Sequence, residues 1–272
     1  MCSRAVRHRH QSPRKPRQPN PSGFSGNSIG SNQSIGGVDG ETTQLNVSNG
    51  GTIGFNFEAN SGAEVNISGG TVDSSFDAES NSTVNISGGS VGTLFDAFNG
   101  STVNISGGTV GVNFDALNGS MVNISGGSVG TGFSASSDST VNISGGTVGS
   151  GFGAFGGSTV NISGGSVREN FDAIIGSTVN ITGGTFGRNF DAFTGSTVNI
   201  SGGEFLLNGS TINDINSPFT LADGDVFTGT LQDGSSFIFS TLDADSLTGV
   251  NLFETFTPTA STTPQVLSLI HI

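Results

Sequence analysis

The sequence predicts an all-β chain, a right-handed parallel β-helix (β-solenoid) of 19-residue coils closed by a β-rich C-terminal cap. Three observations carry that prediction. The string Val-Asn-Ile-Ser-Gly-Gly recurs with its Asn at 66, 85, 104, 123, 142, 161, 180 and 199, every interval being 19, with Thr182 once in place of Ser. A second register keeps step: Phe57, Phe76, Phe95, Phe114, Phe133, Phe152, Phe171 and Phe190 are also 19 apart, each followed two residues later by Ala. The composition excludes the simple alternatives. With 45 Gly in 272 residues and 32% hydrophobics the chain is thin material for an ordinary two-layer core, yet 21 Phe are more than a disordered chain carries.

The elements follow in order along the chain. Residues 1–23 form a basic tail holding six of the eight Lys and Arg, read as disordered or as a misassigned start. Its charge suits the beginning of an export signal, but no apolar stretch follows it. Residues 24–203 are read as the solenoid, with irregular first coils; Asn46 begins an imperfect copy in which Asn49 is one inserted residue. Within a unit the period is two, which marks strands. Val103 and Ile105 share one face while Thr102, Asn104 and Ser106 share the other, and Gly107-Gly108 breaks the strand. A short second strand carries Val110 inward, and a third places Phe114 and Ala116 inward with Asp115 outward. One unit cannot bury so small an apolar set alone, so the units must stack, about 4.8 Å apart, with identical residues in ladders. Residues 204–266 change pattern and show Asp-Gly turns at 223–224 and 233–234 between alternating segments, as expected of a cap that hides the last coil. Residues 267–272 look like a translated sequencing adapter, so the natural sequence is expected to continue differently past Val266.

Charge and residue usage narrow the chemistry. From residue 18 onward there are two basic and 21 acidic residues, a formal charge of −19, which disfavours nucleic acid and anionic membranes. No stretch of 18 apolar residues is present, so no membrane insertion is expected. The single Cys2 excludes an internal disulfide. Nucleophilic catalysis needs His, Cys or Lys within reach of one another, and residues 18–266 contain none of the three. Arg168 and Arg188 stand alone as bases. Paired carboxylates could still act as acid and base. A cleft for that purpose would require loops that lengthen the coil, and the 19-residue interval never stretches between Asn66 and Asn199. The expectation is a protein that is not an enzyme.

Two outward columns are candidate sites. The first is acidic: Glu58, Asp77, Asp96 and Asp115, then Ser134 and Gly153, then Asp172 and Asp191. Stacked carboxylates about 5 Å apart repel unless solvated or bridged, and Ca²⁺, which takes several oxygen ligands, is the cofactor such a column would suit. The other reading is a solvated stripe that keeps the rod soluble. The repeats lack the Gly-x-Gly-x-Asp turns of calcium-binding repeats. The second column set is the Thr-x-Asn-x-Ser lattice, carried by Thr83, Asn85, Thr102, Asn104, Thr140, Asn142, Thr159, Asn161, Thr178 and Asn180. Such a surface could bind glycan, pack on itself or face ice, although Glu64 begins the Thr column and Met121 interrupts it. Alternatively the Asn side chains turn inward at a corner and bond one another in a structural ladder.

The units STVNISGGSVG and NFDAxxGSTVNISGG, closed by GGEFLLNG and ADGDVFTGTLQDGSSFIF, resemble large secreted bacterial repeat proteins of the planctomycete type over roughly residues 42 to 240. The resemblance implies an extracellular or cell-surface β-helix without a defined biochemical activity, and offers no catalytic residues. Together these readings predict a structural or adhesive solenoid that attaches multivalently to an extracellular glycan or cell surface, or associates end to end or laterally with itself. An ice- or polysaccharide-binding module using the Thr-x-Asn-x-Ser face is the alternative, and a third reading, a polysaccharide-degrading β-helix enzyme, would need its catalytic carboxylates in a region beyond this sequence.

Overall fold

The computed structural model describes residues 28–37, 42–215, 218, 220–222, 224–240 and 250–254. The basic tail over 1–23, the adapter-like 267–272 and Asp223 of the first expected cap turn lie outside the described residues. The described residues contain strands and no helix, and hence no helix long and apolar enough to cross a membrane.

The coil is built as the alternation requires. In one unit a strand over Thr102–Ile105 bends at Ser106-Gly107-Gly108 into the short strand Thr109–Val110, and after a turn comes the three-residue strand Phe114–Ala116. The strands of this unit lie parallel to and in register with their counterparts in neighbouring coils: Thr102 opposite Met121, Asn104 opposite Asn123, Val110 opposite Val129, Phe95 opposite Phe114. The chain is therefore a β-solenoid. Its Val-Asn-Ile and Thr-Val strands belong to an 18-stranded sheet, and the Phe-Asp-Ala strands to a nine-stranded one.

The inward residues make one continuous core. Val103, Ile105, Val110, Phe114 and Ala116 are all buried, as are their counterparts in the neighbouring coils. From Phe76 to Phe190 successive rings stack with centroids 4.6 to 4.9 Å apart. That separation is the sheet spacing itself, so a Phe at this phase of the repeat stacks on its neighbours without leaving its strand. Corners demand positive φ, which Gly108 supplies at 71° and which Asn113 tolerates at 56°. The third corner is a turn in which Ser120 N donates to Leu117 O at 3.1 Å, with Asn118 and Gly119 both at positive φ.

At the N-terminal end Ser28–Ile29 pairs with Thr52–Ile53 and Ser34–Ile35 pairs with Phe57–Ala59, so the expected irregular first coil does lie on the stack. Its offset is 24 residues, since Ser28 faces Thr52.

At the other end the strand Thr197–Leu207 leaves the coil path and pairs antiparallel with Val226–Leu231, which pairs in turn with Ser236–Ser240. The expected turn at Asp233-Gly234 joins the last two, Gly234 N donating to Leu231 O at 2.9 Å. This hairpin ends the aromatic column, for the buried Phe239 ring sits 4.9 Å from Phe190 and 5.5 Å from Phe186. Asp233 anchors it: its Oδ2 accepts from Gly184 N at 2.8 Å, and Ser235 Oγ donates to Gly184 O at 2.9 Å. The chain then returns as Val250–Glu254, parallel to Thr197–Leu207, with Val250 opposite Val198, Asn251 opposite Asn199 and Leu252 opposite Ile200. A tenth rung thus rejoins the first sheet after the 19-residue period has ended.

Candidate functional site

The long strand of each coil turns Val and Ile inward, which leaves Thr, Asn and Ser on the outer face. Stacking without slip then aligns them in rows. Thr83, Thr102, Thr140, Thr159 and Thr178 stand in one half-buried row that Met121 interrupts with an exposed side chain. Asn85, Asn104, Asn142, Asn161 and Asn180 stand in the next, and every member is bonded to its neighbours. Each Nδ2 donates to the Oδ1 one coil earlier, from Asn66 on Asn46 through to Asn251 on Asn199, at 2.7 to 3.0 Å. The ladder runs along the middle of the outer face; it does not turn inward at a corner. One amide hydrogen and one acceptor lone pair of each interior Asn are committed to it. What the face offers a ligand is therefore a row of Thr hydroxyls beside a row of partly committed amides. That surface can donate and accept hydrogen bonds.

The Phe-Asp-Ala strands place the acids on the opposite sheet. Glu58, Asp77, Asp96 and Asp115 lie directly opposite one another in successive coils, as do Asp172 and Asp191. Burial first, and then the charges of Asp115 and Asp77, raise the Asp96 carboxyl from 3.8 to about 6. Asp77 is raised as well, by burial and then by Glu79 and Glu58. Among the described residues no three Asp, Glu, His or Cys side chains converge into a group that could hold a metal ion. The column brings carboxylates one above another in successive coils.

At Gly153, one of the two positions of the gap in that column, an aromatic ring takes the place of a side chain. A Cβ at Gly153 would sit 2.4 Å from Cε2 of Phe155, because this ring lies over the site where the side chain would emerge.

Two features escaped the sequence reading. Val250-Asn251-Leu252 repeats Val-Asn-Ile, but 52 residues separate Asn251 from Asn199, so no search at period 19 finds it. Arg168 and Arg188 looked isolated, yet a coil of 19 brings them to one corner, where they line a groove of about 450 Å³. No known protein family, no curated protein and no solved structure matches this chain.

Proposed function

We propose that the chain is a non-enzymatic structural and adhesive β-solenoid of the cell surface or extracellular space. It acts as a stiff spacer that presents the same shallow hydrogen-bonding contact to a glycan or cell surface at successive coils, interrupted at Met121. The observation that carries this reading is the unbroken Asn ladder beside the Thr row, which fixes identical groups at the repeat spacing along the rod. Single contacts of that kind are weak, but repetition raises the effective concentration of each after the first has formed, and attachment strengthens without any deep pocket. The likeness to secreted bacterial repeat proteins supports the extracellular setting.

The test replaces Thr102, Thr140 and Thr159 with Glu and measures retention of the protein on immobilised polysaccharides and on intact bacterial cells. These half-buried side chains point outward, so the variant's thermal melt is expected to stay within a few degrees of the parent while retention is lost. Unchanged retention overturns the reading, and so does release of a soluble product from any of the polysaccharides. The alternative of an ice-binding face predicts inhibition of ice recrystallisation that the same variant loses.

A further inference from the structure

We propose that the corner groove between Arg168 and Arg188 binds the oxyanion of a short acidic sugar, a carboxylate or a sulfate ester. This site is separate from the Thr/Asn face and stands whether or not that face binds anything.

The corner is one of the tight places of the repeat. Gly54, Gly92, Gly111, Gly130, Gly149 and Gly187 occupy the position after the short strand, and a Cβ at any of them would lie 2.4 to 2.7 Å from the backbone of the neighbouring coil. Only Asp73 and Arg168 depart from glycine in this column. At Arg168 the coil keeps its rung, its N donating to Val148 O at 3.0 Å, and still carries the longest side chain in the column. In the following column Thr93, Val112, Thr131 and Ser150 give way to Glu169 and then Arg188. The two departures coincide in space at the groove.

Its electrostatics set it apart from the rest of the rod. Arg168 and Arg188 are the two basic residues after residue 17 in a body with 21 acidic ones. Both are exposed, and among the described residues neither guanidinium has an ion-pair or hydrogen-bond partner. A planar guanidinium pairs bidentately with carboxylate or sulfate oxygens, the strongest kind of hydrogen bond a surface offers. Ser150, Ser166 and Thr185 line the same groove and present hydroxyls of the kind that match sugar hydroxyls. The surrounding charge limits the ligand. A polyanion would meet a repulsive field along the whole rod, whereas a sugar with one charged group is screened from it beyond about 8 Å at physiological salt. Glu169 at the groove wall acts in the same sense, against a second anionic group.

The test titrates the full chain with glucuronate, glucose 6-sulfate and glucose, following by NMR the Arg Nε–Hε resonances and the backbone amides of Ser166, Glu169 and Thr185, which the variants below retain. Saturable shifts are expected with at least one charged sugar and none with glucose at the same concentration; the tighter of the two identifies the oxyanion. The double variant R168G/R188S restores the repeat's own corner residues and is expected to melt as the parent does while binding at least about tenfold more weakly. Should it melt lower, R188S alone, altering one exposed side chain, carries the same comparison. The proposal is overturned if neither charged sugar shifts these resonances, if glucose binds equally, or if the variant binds like the parent. Each of those results leaves the Thr/Asn face reading untouched.

Discussion

The Nδ2 of Asn251 donates to the Oδ1 of Asn199 at 2.9 Å across 52 residues of chain, and so continues a column that starts where Asn66 donates to Asn46 at 3.0 Å. The cap thus extends the ladder before the described residues end. Position within the column decides how much each residue contributes. Asn123 donates to Asn104 and accepts from Asn142, whereas among the described residues Asn251 makes a single ladder bond. At about 1 kcal/mol net for each bond, Asn123→Ala should cost about 2 kcal/mol and Asn251→Ala about 1 in urea unfolding. Equal costs would mean that the amides stabilise the rod through their packing and that the ladder bonds contribute little.

The acidic column makes stability fall with rising pH. Asp96 faces Asp77 and Asp115, and its carboxyl, raised from 3.8 to about 6 chiefly by burial, holds its proton more tightly in the folded state than in the unfolded one. The folded state is therefore favoured most below 3.8, loses that advantage as pH climbs to about 6, and stays without it above. Asp96→Asn should remove part of this dependence, melting higher than the parent at neutral pH and level with it in acid. Melts that differ by the same amount at every pH would show that the carboxyl does not titrate in this window.

Much of this was legible because repetition removes ambiguity. A Val, Ile or Phe that returns at one phase of a 19-residue period must meet the same environment each time, and a small apolar set can be buried only by stacking. Facing follows from that, as Val103 inward and Asn104 outward illustrate. Facing does not reveal what an outward Asn bonds to: the amides of Asn104 and Asn85 pair with each other because neighbouring coils lie one sheet spacing apart. Deviations from the repeat were harder to read. The Phe155 ring lies over Gly153, where the acid column breaks, and no periodicity signals a rotamer. Arg168 and Arg188 meet only once the coil is closed.

The buried Ser column contains two kinds of hydroxyl. Ser158 Oγ donates to Phe155 O at 2.6 Å within its turn, while Ser101 Oγ is buried without a partner. Ala63 holds the corresponding place in an earlier coil, so the site accepts a methyl group. Ser101→Ala should leave stability unchanged or raise it by up to about 1 kcal/mol, and Ser158→Ala should lower it by about as much, because an unmade buried hydrogen bond costs more than its removal. A loss at Ser101 matching that at Ser158 would place a bonded hydroxyl at both.

Two glycines with the same nominal clash should respond differently to Ala. A Cβ at Gly107 would lie 2.4 Å from the backbone oxygen of Ser87, and the Cβ at Gly153 would lie equally close to the Phe155 ring. The Ser87 oxygen belongs to the coil beneath and cannot retreat without disturbing the pairing on either side of it. Phe155, by contrast, is 38% exposed and can swing toward solvent about its own χ angles. Gly107→Ala is therefore expected to cost about 1 to 3 kcal/mol, the usual range for overpacking. Gly153→Ala should cost less than about 1 kcal/mol, since Ala suits a strand better than Gly does. Urea unfolding of the two variants decides the matter: if Gly153→Ala proves the more damaging, the ring is a fixed part of the wall that closes the acidic column, and the gap there is a requirement of packing in its own right.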